Sequence, residues 1–320
     1  MAPSGRSRPR RMSPRGFTLL ELIITLLLGT IILGAAITFL ITHIRSLEGS
    51  DIREEVSRND RYIGALLRRD LQLTGVDIKS TTSFGTIAAW PGSVGDTLIV
   101  LYVPYEPEPA PAHEVDPGVF PEPPPGEGTC GDHCLDVLYD DSQPLELQVG
   151  DLARLEVEGV RRLIIVEDIV TKSSTQLEVT FTDADTLLRQ PAGLVGNLRI
   201  AIPGTYIQKL VPIIFYLDDQ SRLMRAQRLH MDGSPDGDVV AYGVERFDLS
   251  LIFADGDELP QPDPYDSDSS NDYDDIVGVK ARVTVKAHRV DPRVNEGRLL
   301  RKSSEWRISP RNLRYEKNRV

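Results

Sequence analysis

Apparatus for chemistry is scarce in this sequence. It has two cysteines, five histidines and two tryptophans in 320 residues, and neither a GxxxxGK[ST] loop nor an HExxH helix. Nucleotide-driven and zinc-peptidase chemistry therefore lack their usual recognition elements. Basic residues are outnumbered 36 to 48, for a net charge of −12. Phosphate neutralisation needs the opposite balance, so nucleic acid is an unsuitable partner. A nucleophile elbow is also missing. Pro91-Gly92-Ser93-Val94-Gly95 comes near, but proline stands where G-x-S-x-G needs its first glycine. A turn before the strand Asp96–Val103 accounts for it better.

Charge is absent in one further place. From Phe17 to Thr42, 26 positions, Glu21 is the only ionisable residue. A helix of that length spans ~39 Å, enough for a hydrocarbon core of ~30 Å. The run is too long for the apolar region of an ordinary secretory signal. The preceding residues hold Arg6, Arg8, Arg10, Arg11 and Arg15 and no acid. That bias keeps the N-terminus in the cytoplasm and sends the C-terminal domain outward. A carboxylate inside an apolar span costs a few kcal/mol, so Glu21 implies a specific partner charge. Snorkelling to the cytoplasmic face is the plainer reading of it.

The junction Arg15-Gly16-Phe17-Thr18-Leu19-Leu20-Glu21 resembles the class III signal of type IV prepilins and type II secretion pseudopilins. The resemblance implies cleavage between Gly16 and Phe17 by a prepilin peptidase and N-methylation of Phe17. It also implies that Glu21 faces the α-amine of Phe17 on a neighbouring subunit. Opposite charges in low dielectric attract strongly, while either alone bears its desolvation cost. Such a pair favours correct axial register as a subunit leaves the membrane. Losing the five leader arginines leaves 31 basic against 48 acidic side chains, a net −17.

A helical pattern continues from His43 to Gly75. Ile52, Val56, Ile63, Leu66, Leu67 and Leu71 fall on one broad face, with Glu54, Glu55, Arg58, Arg61, Arg68 and Arg69 mostly elsewhere. Gly75 is placed as a C-cap. The stretch R-Y-I-x-A-L-L-R-R-D-L-x-x-T-G resembles the segment after the anchor in PilW-like minor pilins and GspJ-like minor pseudopilins.

Beyond Gly75 the helical period stops. Residues 104–128 hold nine prolines, a density that excludes a sheet and indicates an extended, exposed loop. Cys130 and Cys134 come next, in Cys-Gly-Asp-His-Cys. An oxidising compartment favours a disulfide there, against a metal site with His133 that lacks a fourth ligand. Strands are expected at Leu145–Val149, Leu152–Glu158, Arg161–Val170, Gln176–Thr182 and Asn197–Ile202, forming a small barrel-like subdomain. Tight turns fall at Gly150-Asp151 and Glu158-Gly159. A second set covers Thr205–Leu217, Arg222–His230, Val239–Phe253, Val277–Val290 and Ser304–Ser309. Its order, from an F-Y-L-D strand to a closing R-N-L-R, again resembles the PilW/GspJ-like group.

Two acidic loops suggest calcium. The loop beginning Asp232-Gly-Ser234-Pro-Asp236 opens like an EF loop but has Gly243 at its twelfth position. The second places Asp266, Asp268, Asp272 and Asp274 at alternate positions, with Asn271 where glycine belongs and Val277 where glutamate belongs. A solvated loop between strands is the bland reading.

The expected architecture is α+β: a long N-terminal transmembrane and amphipathic helix packed on a C-terminal β-rich pilin-like domain with an inserted β-subdomain. The expected parts are a leader (1–16), a transmembrane half-helix (17–42), an amphipathic half-helix (43–75), a β-rich subdomain (76–203) and a C-terminal sheet subdomain (204–320). The resemblance implies a minor type IV pilin rather than an enzyme. The alternatives are a minor pseudopilin of type II secretion and a membrane-tethered binding module. Implied partners are prepilin peptidase, other major and minor pilins or pseudopilins, and an inner-membrane assembly platform. The implied location is the inner membrane, then the filament.

Overall fold

A computed structural model of the chain describes residues 18–105, 108–118, 124–139, 145–190, 195–291 and 294–313. The processing junction Gly16/Phe17 and residues 106–107 and 119–123 of the Pro-rich segment lie outside the described residues. The rest of that segment does not stay out of sheet as expected: Ala112–Glu114, between its prolines, pairs with Tyr206–Gln208. The chain divides into two compact units, Met1–Ile52 and Arg53–Val320.

Helix α1, Leu19–Leu71, begins in the first unit and ends in the second. In the first unit its large apolar side chains, Leu22 through Leu47, are exposed. It is long and apolar enough to cross a membrane by length and composition. Its hydroxyls are already satisfied internally. Thr25, Thr38 and Thr42 donate to the carbonyls of Glu21, Gly34 and Thr38, and Thr30 donates to that of Leu27. Back-bonding of this kind is what a hydroxyl does in an apolar solvent. The helix ends at Leu71, with Arg68 and Arg69 in its last turn complementing the dipole. Gly75 lies four residues beyond, at φ 70°, and donates its N–H to Leu101.

Sixteen strands come after it within the described residues. They begin with β1 (Ile87–Trp90), β2 (Thr97–Tyr102), β3 (Ala112–Glu114), β4 (Glu127–Gly128), β5 (Gly131–Asp132) and β6 (Cys134–Leu138). Next come β7 (Leu152–Val157), β8 (Val160–Thr171), β9 (Gln176–Asp183), β10 (Tyr206–Leu217), β11 (Arg222–Leu229) and β12 (Pro235–Tyr242). The last are β13 (Val244–Phe253), β14 (Glu258–Leu259), β15 (Ile276–Lys286) and β16 (Arg301–Ile308).

Strands β7, β8, β9 and β6 form an antiparallel series that starts on the first half of β10. Strand β3 pairs with β10 at Tyr206–Gln208, and one bridge, Val115 to Val137, joins the end of β3 to β6. The series therefore closes on itself as a small barrel. Leu135, Val137, Leu155, Ile164, Phe181 and Ile207 are among the side chains filling it. Glu158 and Gly159, at φ 48° and 82°, make the two-residue turn between β7 and β8. Both positive angles match the primed turn that suits strand twist.

The second half of β10 belongs to another layer. It pairs with β2 from Val211 and with β11 from Ile214. Pro212 stands at the changeover. It faces Leu101 on β2, while β7 stops at Leu210 and β11 starts only at Ile214. A residue without an N–H suits a position whose other side has no ladder partner.

The third layer is a sheet in the order β14-β13-β15-β16. One run, Val239–Phe253, was expected as a single strand. Gly243 divides it: at φ 70° a side chain there would lie 2.6 Å from the Lys286 carbonyl oxygen. Strands β12 and β13 consequently join different sheets. Leu145–Val149 and Asn197–Ile202 are not strands either, although Leu147 and Ile200 are buried in the barrel cluster.

The helix segment of the second unit buries Val56, Ile63, Leu66, Leu67 and Leu71. Gly64 lets it approach Trp306 on β16; an added Cβ would sit 2.8 Å from the indole. Asp60 pairs with Lys302 on β16 at 2.7 Å, and Asp70 with Arg225 on β11 at 2.5 Å. Gly85 makes a closer approach still. A Cβ there would lie 2.0 Å from the ring of Tyr273. That ring is fully buried and its hydroxyl donates to the Leu188 carbonyl at 2.7 Å. Because the ring is tethered, Gly85→Ala is expected to destabilise by about 1–3 kcal/mol. An unchanged urea midpoint of the detergent-solubilised protein, monitored by tryptophan fluorescence, would contradict this.

Candidate functional site

At the head of the helix, Glu21 is tied to its own chain. Its carboxylate accepts from the Thr18 N–H at 3.0 Å and from the Thr18 hydroxyl at 3.1 Å. The Glu21 N–H in turn donates to the Thr18 hydroxyl oxygen at 3.3 Å. This is a capping box, Thr at the N-cap and Glu at the third helical position. Its signal, T-x-x-E before an apolar run, is present in the sequence, where the charge of Glu21 overshadows it. Glu21 thus fixes where the helix starts. It also complements the helix N-terminus, where backbone N–H groups favour an anion.

Cys130 and Cys134 are joined, with their Cα atoms 5.4 Å apart. Their sulfurs are therefore not free as metal ligands. His133, at φ 49°, turns its ring onto Asp132 at 2.7 Å, toward Asp183 at 3.6 Å, and against Phe181. Burial raises the Asp183 carboxyl above its ordinary range, and His133 opposes that rise. Gly126-Glu127-Gly128-Thr129-Cys130-Gly131 has the spacing of a dinucleotide loop. Its context is wrong, since Gly128 and Gly131 pair across β4 and β5 and no helix comes next. Ser93 is exposed, and the nearby Asp96 carboxylate accepts backbone N–H groups of Gly92 and Leu249. That arrangement makes a turn rather than a nucleophile.

The two acidic loops differ. Asp232 accepts from the N–H and hydroxyl of Ser234 within the turn joining β11 and β12, and those bonds lower its pKa. In the second loop Asp266 accepts from the Asp268 N–H and the Asn271 Nδ2. Asp268 accepts from the N–H and hydroxyl of Ser270, which lower its pKa. Asp272 and Asp274 converge with a residue not singled out from sequence, Asp275. All three offer oxygens within 4.8 Å of one another. Asp266 and Asp268 stand outside that trio. Val277 is already inside β15, so the twelfth EF position supplies no ligand. Burial, then Asp274, Asp275, Asp266 and Asp268, push the Asp272 carboxyl up to about 6.

Comparison with known proteins gives one sequence match. The family model for the prokaryotic N-terminal methylation motif fits residues 11–37. These residues hold the Gly16/Phe17 junction, Thr18 and Glu21. No curated protein matches the chain. Among solved structures, the type IV-like pilin TTHA1219 from Thermus thermophilus aligns over 82% of this chain and 97% of its own, at 9% identity and a TM-score of 0.34. Likeness at that level carries no argument about this chain.

Proposed function

We propose that this chain is a type IV pilin-type subunit acting as a minor pilin, stored in the inner membrane by α1 and incorporated into, or priming, a filament. One observation carries the reading. The N-terminal methylation motif covers residues 11–37 and runs into an apolar helix, from Leu19, whose only ionisable residue through Thr42 is Glu21. Prepilin peptidase cleaves after Gly16 and Phe17 becomes the methylated first residue. Cleavage removes five positive charges and creates an amine able to pair with a neighbour's Glu21. Other pilins and an inner-membrane platform are the partners this requires. The length of the chain and its Pro-rich insertion favour the pilus over a secretion pseudopilus.

Intact mass and N-terminal sequence of protein from native membranes test the reading. The expected start is N-methylated Phe17. Bulky substitution of Gly16 should leave uncleaved precursor as the main species. Efficient processing of a Gly16 variant, or a native Met1 start, would overturn the assignment.

A further inference from the structure

Charge is divided unevenly along this chain. Residues 43–276 carry 18 basic and 43 acidic side chains, a net −25, whereas residues 277–320 carry 13 basic and 4 acidic, a net +9. Such asymmetry points to an anionic partner for the basic end. Most cations on β15 and β16 are already paired within the fold. Lys280 and Arg307 meet Glu258, Arg282 meets Glu305, Arg301 meets Glu245 and Lys302 meets Asp60. The loop joining the two strands is different. Arg289 and Arg298 are exposed, and no ion pair or side-chain hydrogen bond reaches either guanidinium among the described residues. Glu296 is the loop's one exposed acid among those residues. The Ala287 N–H donates to the Leu300 carbonyl at 2.9 Å, one step beyond the Lys286–Arg301 pair of the ladder. The two arms therefore leave the sheet side by side, with Arg289 two residues along one and Arg298 two residues along the other. His288 fastens the loop to α1, its Nδ1 meeting the Glu55 carboxylate at 2.8 Å. Glu55 lies eight residues past Leu47, the last exposed large apolar side chain of the anchor run, a rise of ~12 Å as helix.

We propose that Arg289 and Arg298 bind the phosphates of anionic lipid headgroups in the membrane that holds α1. The inference rests on the anchoring proposed above. A guanidinium presents paired N–H donors that match phosphate oxygens. Basic residues next to an anchor are drawn to anionic lipid over about a Debye length, ~8–10 Å near physiological salt. The step from Leu47 to Glu55 is close to that range. Tethering through α1 supplies the high local concentration that two cations alone require. Residues 43–276, at net −25, are repelled by the same surface, so attraction is confined to the basic end.

The test places the full chain in nanodiscs of phosphatidylcholine alone, or of equal parts phosphatidylcholine and phosphatidylglycerol. Val290, half exposed beside Arg289, is replaced by cysteine and carries a fluorophore. Cys130 and Cys134 are joined, so the label has one site. Quenching by a headgroup-labelled lipid is read. It should be about twofold stronger with phosphatidylglycerol. The difference should vanish at ~1 M salt, where the Debye length is ~3 Å. Arg289→Glu/Arg298→Glu in the labelled chain should return quenching to the phosphatidylcholine level with an unchanged melting temperature. Arg228→Glu, at an exposed position on β11, should leave the difference in place. Equal quenching in the two kinds of disc, or a difference that survives the double substitution, would overturn the proposal. A salt-sensitive rise that follows the number of chains per disc and not phosphatidylglycerol would assign the loop to a second protein and overturn it as well. Co-elution of chain and lipid reports the anchor separately, so neither failure bears on processing at Gly16.

Discussion

With valine in place of Glu21, the precursor still inserts and is cleaved, but its recovery in sheared filaments falls at least tenfold. Insertion improves if anything, because a carboxylate in an apolar span costs a few kcal/mol. Assembly suffers, because a partner amine brought into low dielectric then has no counter-charge. Two effects must be separated, since Glu21 also closes the capping box with Thr18. Loss of a cap costs about 1 kcal/mol, and a tenfold change in equilibrium corresponds to about 1.4 kcal/mol. Glu21→Gln distinguishes them. Glutamine keeps the capping acceptor and removes the charge. If the Gln variant enters filaments as the native chain does, the charge pair is not what assembly requires, and the proposed role of Glu21 is lost.

Legibility of the residues tracks the range of the interactions they make. The anchor is legible because 26 consecutive positions lack charge but for one, and insertion depends on that local property. The apolar face Val56, Ile63, Leu66, Leu67 and Leu71 is legible because one helix sets its own period. The β7–β8–β9 series is legible for a similar reason, with short turns joining neighbouring strands. A barrel-like subdomain is legible too, but the pairings that close it are not. Closure depends on Val115 meeting Val137 and on β3 meeting β10 more than 90 residues later, and no local pattern encodes either event. The double membership of β10 has one trace in the sequence, Pro212, whose meaning appears only once its neighbours are known. Leu145–Val149 and Asn197–Ile202 are apolar because they cover the barrel cluster, not because they extend a ladder. The Asp272 trio is half visible. Alternate spacing points to Asp272 and Asp274, but a 3₁₀ turn at Tyr273–Asp275 brings in Asp275 instead of Asp266 and Asp268.

Removing Asp70 should unfold the second unit more readily than any other single truncation of a polar side chain in the helix. Asp70 is 1% exposed, and its carboxylate receives Arg225 Nε at 2.5 Å and Arg69 Nε at 2.9 Å. Arg69 is an exposed neighbour on the same turn and adds little. Arg225 is different, because it comes from β11, 155 residues away, and is itself mostly buried. The pair therefore joins the end of α1 to the sheet that β10 shares with the barrel. Asp70→Ala leaves the guanidinium buried and unpaired, a defect worth about 3–5 kcal/mol. A domain has about 5–15 kcal/mol in total, so the variant should lose a large share of its stability and be cleared or proteolysed before assembly. Asp238 lies opposite Arg225 in the β11–β12 ladder and is positioned to recapture it, which moves the expected loss toward the lower figure. The double variant Asp70→Leu/Arg225→Met removes both charges and should recover most of the loss, since a buried ion pair is often no better than apolar side chains of similar volume. Urea midpoints of the detergent-solubilised proteins decide it. A single-variant loss below about 1 kcal/mol would mean that apolar packing alone, at Ile63, Leu67 and Leu71, holds the helix to the sheet.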